Sequence, residues 1–169
     1  EIRGGPAKSG TTHFHTYATL AIVHDDQRYE LALTFVWSDE ALVAVLERLV
    51  KQARRLGLQM RRAYLDKGFR GSEILRWLRR HRIRYVIPVP LHGKALLALC
   101  TGRHSYRTRY TFNPGTAAAY TTDLVIVCKY SAGRRGQHQV DYLVYAVYAV
   151  AAIPELQVHE LYRRRFRIH

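Results

Sequence analysis

Residues Arg61–Leu78 read "RRAYLDKGFRGSEILRWL", and one of them is out of character. Asp66 is the only acid in the dozen residues from Arg61 to Ser72, among three arginines and a lysine. It follows a short apolar-alternating run, Met60 to Leu65, which predicts a strand. Beyond it lies a Gly-containing turn, and Ser72 is placed to cap a helix from Glu73 to about Arg82. On that helix Ile74, Leu75 and Leu78 fall inward while Arg76, Arg79 and Arg80 fall outward. Two uses of the carboxylate fit this position. Asp favours strand exits, where its side chain serves the turn. A carboxylate ending a strand on a basic surface also suits a metal ion held against nucleic acid.

Outward from this point the pattern alternates between strands and helices. "RYVIPVP", Arg84 to Pro90, is the next strand, and its two prolines place it late in the sheet or at an edge. Upstream, Thr11 to His24 and Arg28 to Trp37 are rich in β-branched and aromatic residues and flank a turn at Asp25-Asp26-Gln27, which predicts a hairpin. Ser38 then stands as an N-cap, with Asp39 and Glu40 in the first turn of a helix. Leu42, Val45, Leu46, Leu49 and Val50 recur at helical spacing until Gly57 stops it. A hairpin followed by strand-helix units predicts an α/β fold, a mixed sheet with flanking helices. After His92 the texture becomes short β-rich runs separated by turns. Residues 93–150 therefore read as a β-rich insertion subdomain, leaving 1–92 as the first part of the core and 151–169 as its last helix, opened by Pro154.

Composition narrows the partners. The 169 residues are 48% hydrophobic, enough for one globular domain rather than a disordered chain. Lys and Arg number 27 against 13 Asp and Glu, a formal charge of +14. Such an excess repels itself in a compact state, and a polyanion is its usual counterpart. No apolar run reaches the roughly 20 residues of a spanning helix, so no membrane partner is expected. No stretch near the start reads as a signal peptide. Cys100 and Cys128 lie outside any CxxC spacing and read as buried thiols in a reducing cytoplasm. The opening "EIRGGPAKSG" begins without Met and has little hydrophobic pattern, so it reads as a segment whose upstream portion is missing.

Three stretches together resemble a known family. The block "YLDKGFRGSEILRWLRRHRIRYVIPVPLHGK", Tyr64 to Lys94, resembles the segment around the second catalytic aspartate of DDE transposases from prokaryotic insertion sequences. "HFHTYATLAIV", His13 to Val23, with its hairpin and long helix, resembles what precedes that segment. "ELYRRRFRIH", Glu160 to His169, resembles the family's Tyr-x-x-Arg-x-x-x-Glu signature. The resemblance implies a ribonuclease-H-like fold whose first strand, with the first aspartate, lies upstream and is missing here. It implies that Asp66 is a metal-binding carboxylate, and that Tyr162 and Arg165 sit beside the scissile phosphate. Lys67, Arg163 and Arg164 would contact DNA. The family's Glu position falls on His169, a departure from the pattern.

What the resemblance implies is DNA transposition by two-metal phosphoryl transfer with Mg²⁺ or Mn²⁺, acting on transposon ends and target DNA. A homodimer on DNA and a cytoplasmic, nucleoid-associated location go with it. Two such ions, about 3.5–4 Å apart, need several hard oxygen ligands. A neutral imidazole at His169 suits zinc or copper better than magnesium. With Asp66 as one of three expected carboxylates, the segment is expected to be inactive as it stands. Two other readings compete: a non-catalytic nucleic-acid-binding remnant, and a nuclease of the same fold using His169 as general base or ligand. His13 and His15 share a strand face and read as lining a half-buried strand rather than binding metal.

Overall fold

The computed structural model describes residues 2–8, 11–24, 27–132 and 138–166. Side chains within 2–15, 131–139 and at 166 are not described. The turn expected at Asp25-Asp26 and the terminal His169 lie outside the described residues, as do the side chains of His13 and His15. The chain divides into two compact units, residues 1–60 with 166–169, and residues 61–165.

In the first unit β1 (Ile2–Lys8) pairs antiparallel with β2 (Thr11–His15), and β3 (Tyr17–His24) with β4 (Gln27–Phe35). The second pair is the expected hairpin with a shorter first strand, because Thr11–His15 of the expected Thr11–His24 run pairs with β1 instead. The first was not expected, because "IRGGPAK" lacks the β-branched alternation that marks a strand. Helix α1 (Leu42–Arg55) buries Val45, Leu46, Leu49, Val50 and Ala53, one face at helical spacing. Val45 and Leu49 meet Ala18 and Val36 in a small core. The helix ends at Leu56, and Gly57 takes the left-handed conformation (φ 73°) that a side chain would strain. Its start differs from expectation. Ser38 and Asp39 form a turn, the N-cap is Ala41 without a side-chain bond, and Glu40 is taken by Arg48. That arginine also donates to Thr34 Oγ1 and the Phe35 carbonyl, so a long-range fork, not the helix dipole, holds the acid.

The second unit is built on a five-stranded mixed sheet in the order β5-β6-β9-β8-β7. Its strands are β5 (Ala63–Tyr64), β6 (Tyr85–Val89), β7 (Tyr106–Phe112), β8 (Tyr120–Ala132) and β9 (His138–Tyr148). Only β5 and β6 are parallel. The stretch 93–150, read as a β-rich insertion subdomain, supplies a short helix α3 (Lys94–Leu97) and three of the strands of this same sheet. Period-2 alternation gives the sheet two apolar faces. Helix α2 (Ser72–Arg80) buries Ile74, Leu75, Trp77 and Leu78, on the side of Tyr85, Ile87, Leu124, Ile126 and Ala146. Helix α4 (Glu155–Arg163) covers the other face, where Val158 and Tyr162 pack with Val86, Val125, Val127, Tyr145 and Val147. Mixed sheet and flanking helices make this an α/β fold of the kind compatible with a ribonuclease-H-like architecture.

Two details of this sheet set up the site. Strand β6 has neighbours on both flanks, so its prolines do not mark an edge. Ala63 and Leu65 donate to the carbonyls of Arg84 and Val86. The next donor in that parallel ladder would be residue 88, and Pro88 has no N–H. Pro88 thus ends β5 and releases the chain at Asp66. Ser72, expected to cap α2, lies inside its first turn behind Gly71, and its Oγ accepts from Asn113 Nδ2 (3.3 Å).

Candidate functional site

Asp66 follows an edge strand, not a central one, at the N-cap of a 3₁₀ turn over Lys67–Phe69. The local turn reading predicts that its side chain caps the turn, and it makes no capping hydrogen bond there. Its Oδ1 instead accepts from Arg165 Nη2 at 2.8 Å, across 99 positions of sequence. Burial alone would raise the Asp66 pKa. The hydrogen bond and charge of Arg165 outweigh it, with the neighbouring N–H groups of Gly68 and Lys67 adding to the lowering. The carboxylate is therefore held below its ordinary value.

Arg165 is presented by packing. Helix α4 gives way at Arg164 to a 3₁₀ turn, Arg164–Phe166. Tyr162, buried in the α4-face core, lies under the Arg165 guanidinium with 4.4 Å from Cζ to the ring centroid. Tyr145 packs on Tyr162 at 5.3 Å between centroids. Burial pushes the Tyr162 hydroxyl up to about 12, with Arg165 opposing and Asp66 adding to the rise. Fully burying a side chain such as Val158 is worth about 1.5–3 kcal/mol. The Asp66 side chain is 55% exposed and Arg165's 20%, so their ion pair contributes no more than about 0.2–1 kcal/mol. Packing sets where Arg165 stands, and the pair tunes charge.

The structure thus brings together Asp66, Tyr162 and Arg165. Lys67, Arg163 and Arg164 are exposed on the elements that carry this trio, Arg163 lying 3.9 Å from Glu160. His169 lies outside the described residues, and the 3₁₀ turn interrupts the helical spacing on which its alignment with Tyr162 and Arg165 rested. Glu155, on α4 two turns earlier, is engaged elsewhere. Arg107 of β7 donates to it at 2.9 Å and also to the Val150 carbonyl, tying down the helix start.

One cluster escaped the sequence reading. His159 of α4 is buried between Lys129 of β8 (Nζ to Nε2, 2.6 Å) and Tyr145 of β9 (OH to Nδ1, 2.7 Å). An ammonium can only donate, so Nε2 accepts and Nδ1–H donates to the phenol. Burial and then the Lys129 charge lower the His159 pKa and favour this neutral form. The available signal was the i, i+3 spacing of His159 and Tyr162 on one helix face.

Among the described residues no three His, Cys, Asp or Glu side chains gather as metal ligands. Asp66, the expected ligand, already faces a guanidinium. These residues do not by themselves fit a divalent-metal site. No helix among the described residues is long and apolar enough to cross a membrane. Cys100 and Cys128 are both free, and Cys128 is buried.

Compared with individually curated proteins, the chain finds no match. The family model described as transposase DDE domain matches residues 2–168, and DNA is the partner that family implies, with a divalent metal as its typical cofactor. The Asp66 turn, the two-sided α/β sheet and the Tyr162–Arg165 helix end all lie inside that match, and the chain belongs to the transposase DDE domain family.

Proposed function

We propose that this chain serves the DNA cleavage and strand-transfer chemistry of a transposase of insertion-sequence type, with Asp66, Tyr162 and Arg165 as the phosphate-facing site. The observation that carries the reading is the Asp66–Arg165 contact, which joins the two most specific parts of the family pattern. Arg165, stacked on Tyr162, presents a planar fork of donors that suits a phosphate. Asp66 orients that fork and, being ionised at neutral pH, offsets its charge until DNA arrives. Lys67, Arg163 and Arg164 supply backbone contacts that carry no sequence information. Asp66 is the residue here that would offer a ligand to Mg²⁺ or Mn²⁺, whose chemistry would be Lewis-acid activation of phosphoryl transfer. One carboxylate leaves two hard cations short of anionic oxygens.

The expected outcome is that the 169-residue segment binds duplex DNA carrying its element's ends and does not nick it with Mg²⁺ or Mn²⁺. Nicking that Asp66→Ala abolishes would overturn the inactive reading and show that Asp66 belongs to a complete site. A second reading, a non-catalytic DNA-binding remnant, is favoured by one observation: the Asp66 charge is already met by Arg165. The two part on complementation. His169→Glu together with a preceding strand bearing an Asp restores nicking under the first reading and leaves DNA bound but intact under the second.

A further inference from the structure

The +14 charge is not spread along the chain. Residues 61–165 hold 19 Lys and Arg against six acids, while residues 1–60 with 166–169 hold eight against seven. Within the basic unit, part of the excess lies on α2 and the turn after it. From Ser72 to Arg82 there are four arginines and one acid, Glu73, and all four arginines are exposed. A merely solvated helix face would leave such side chains loose. Two here are held in place. Arg76 lies 5.9 Å over the Tyr120 ring and donates Nη2 to the Ala119 carbonyl at 3.0 Å. Arg79 lies 5.5 Å over the Tyr148 ring. Tyr148 in turn packs on Tyr85, whose hydroxyl is bonded to Thr122 at 2.9 Å in the buried sheet face.

We propose that the α2 face is a second nucleic-acid surface that takes the phosphate backbone of double-stranded DNA, on the opposite side of the sheet from Asp66 and Arg165. The inference rests on the reading of the chain as a DNA-acting domain. The partner follows from the chemistry. Guanidinium forks ordered by tyrosine faces are preorganised for phosphate oxygens and lose little side-chain freedom on binding. Because those guanidiniums cover the rings of Tyr120 and Tyr148, the rings are not open platforms for unstacked bases, which argues for a duplex backbone over a single strand. Contact here is independent of sequence. A surface on each side of one sheet lets this unit touch two duplex segments at once.

The test is the salt dependence of duplex affinity. Each phosphate contact contributes about 0.9 to the slope of log affinity against log salt. Arg76→Gln/Arg79→Gln/Arg80→Gln is expected to reduce that slope by about 2–3, and Arg165→Gln separately by about 1, the two effects adding. The corresponding triple Lys variant should keep the wild-type slope. A Gln variant with an unchanged slope overturns the proposal and leaves the Asp66 site standing. Wild-type affinity that does not vary with salt overturns both. If the Gln variant does not fold, arginine modification of the wild-type protein decides: a duplex should protect Arg76, Arg79 and Arg80, and absence of protection sinks the assignment. Duplex RNA that displaces duplex DNA from Arg165→Gln at equal concentration would overturn the choice of DNA.

Discussion

The Asp66 carboxylate loses some hydration at the end of β5, which by itself raises its pKa, and gains the Arg165 guanidinium, whose hydrogen bond and charge, with the N–H groups of Gly68 and Lys67, lower it by more. A folded pKa below the unfolded one gives stability that is present above the ordinary carboxylate range, about 3.9, and is lost as pH falls through the lower folded value. Because Asp66 is more than half exposed, the amount is small. Asp66→Asn is expected to cost no more than about 1 kcal/mol in urea unfolding at pH 7, the difference vanishing in strong acid. The spacing of Tyr162 and Arg165 was legible in the sequence. The stacking of one on the other was not, because it depends on a 3₁₀ turn at Arg164 that breaks the regular helical spacing. Nor could spacing show that Asp66 finds its nearest charged partner on another element, 99 positions away.

Helix α4 is held by three kinds of contact: the apolar face of Val158 and Tyr162, the Arg107–Glu155 pair at its start, and buried His159 in its middle. Lys129, Tyr145, Glu160 and Arg163 are the polar groups around that histidine, and its depressed pKa means the folded state resists the proton that the unfolded chain accepts. Stability should therefore be full above about pH 6.5 and fall as pH drops from there toward the lower folded value, by at most about 1.4 kcal/mol per pH unit. Urea unfolding between pH 7 and 5 measures it. His159→Gln, which can still accept from Lys129 and donate to Tyr145, should flatten the dependence while keeping the fold. Periodicity found α1 and α2, because each buries one stripe of apolar side chains, and Pro154 marked the start of α4. The cap signal misplaced the start of α1, where Glu40 prefers Arg48. Of the two places that its prolines allowed β6, late in the sheet or at an edge, the edge is not taken, because Pro88 lacks only the bond that β5 would have needed.

For the molecule as a whole, the α/β class followed from the strand-helix order, but the position of residues 93–150 did not. Turns and β-rich runs reveal strands, and nothing local shows that β9 will pair with β6. Net charge pointed to a polyanion, and only the division into units shows that residues 61–165 carry almost all of it. In the proposed function Arg165, held by Asp66 and Tyr162, meets the DNA phosphate. The direct measurement is duplex affinity, at one fixed salt concentration, for Arg165→Gln and Asp66→Asn beside the wild type. Opposite directions are expected: loss of Arg165 weakens binding by about tenfold, the worth of one charge-assisted phosphate contact, and loss of the Asp66 charge strengthens it. Equal weakening by both variants would mean that the pair is only structural, and would contradict the assignment of Arg165 to DNA.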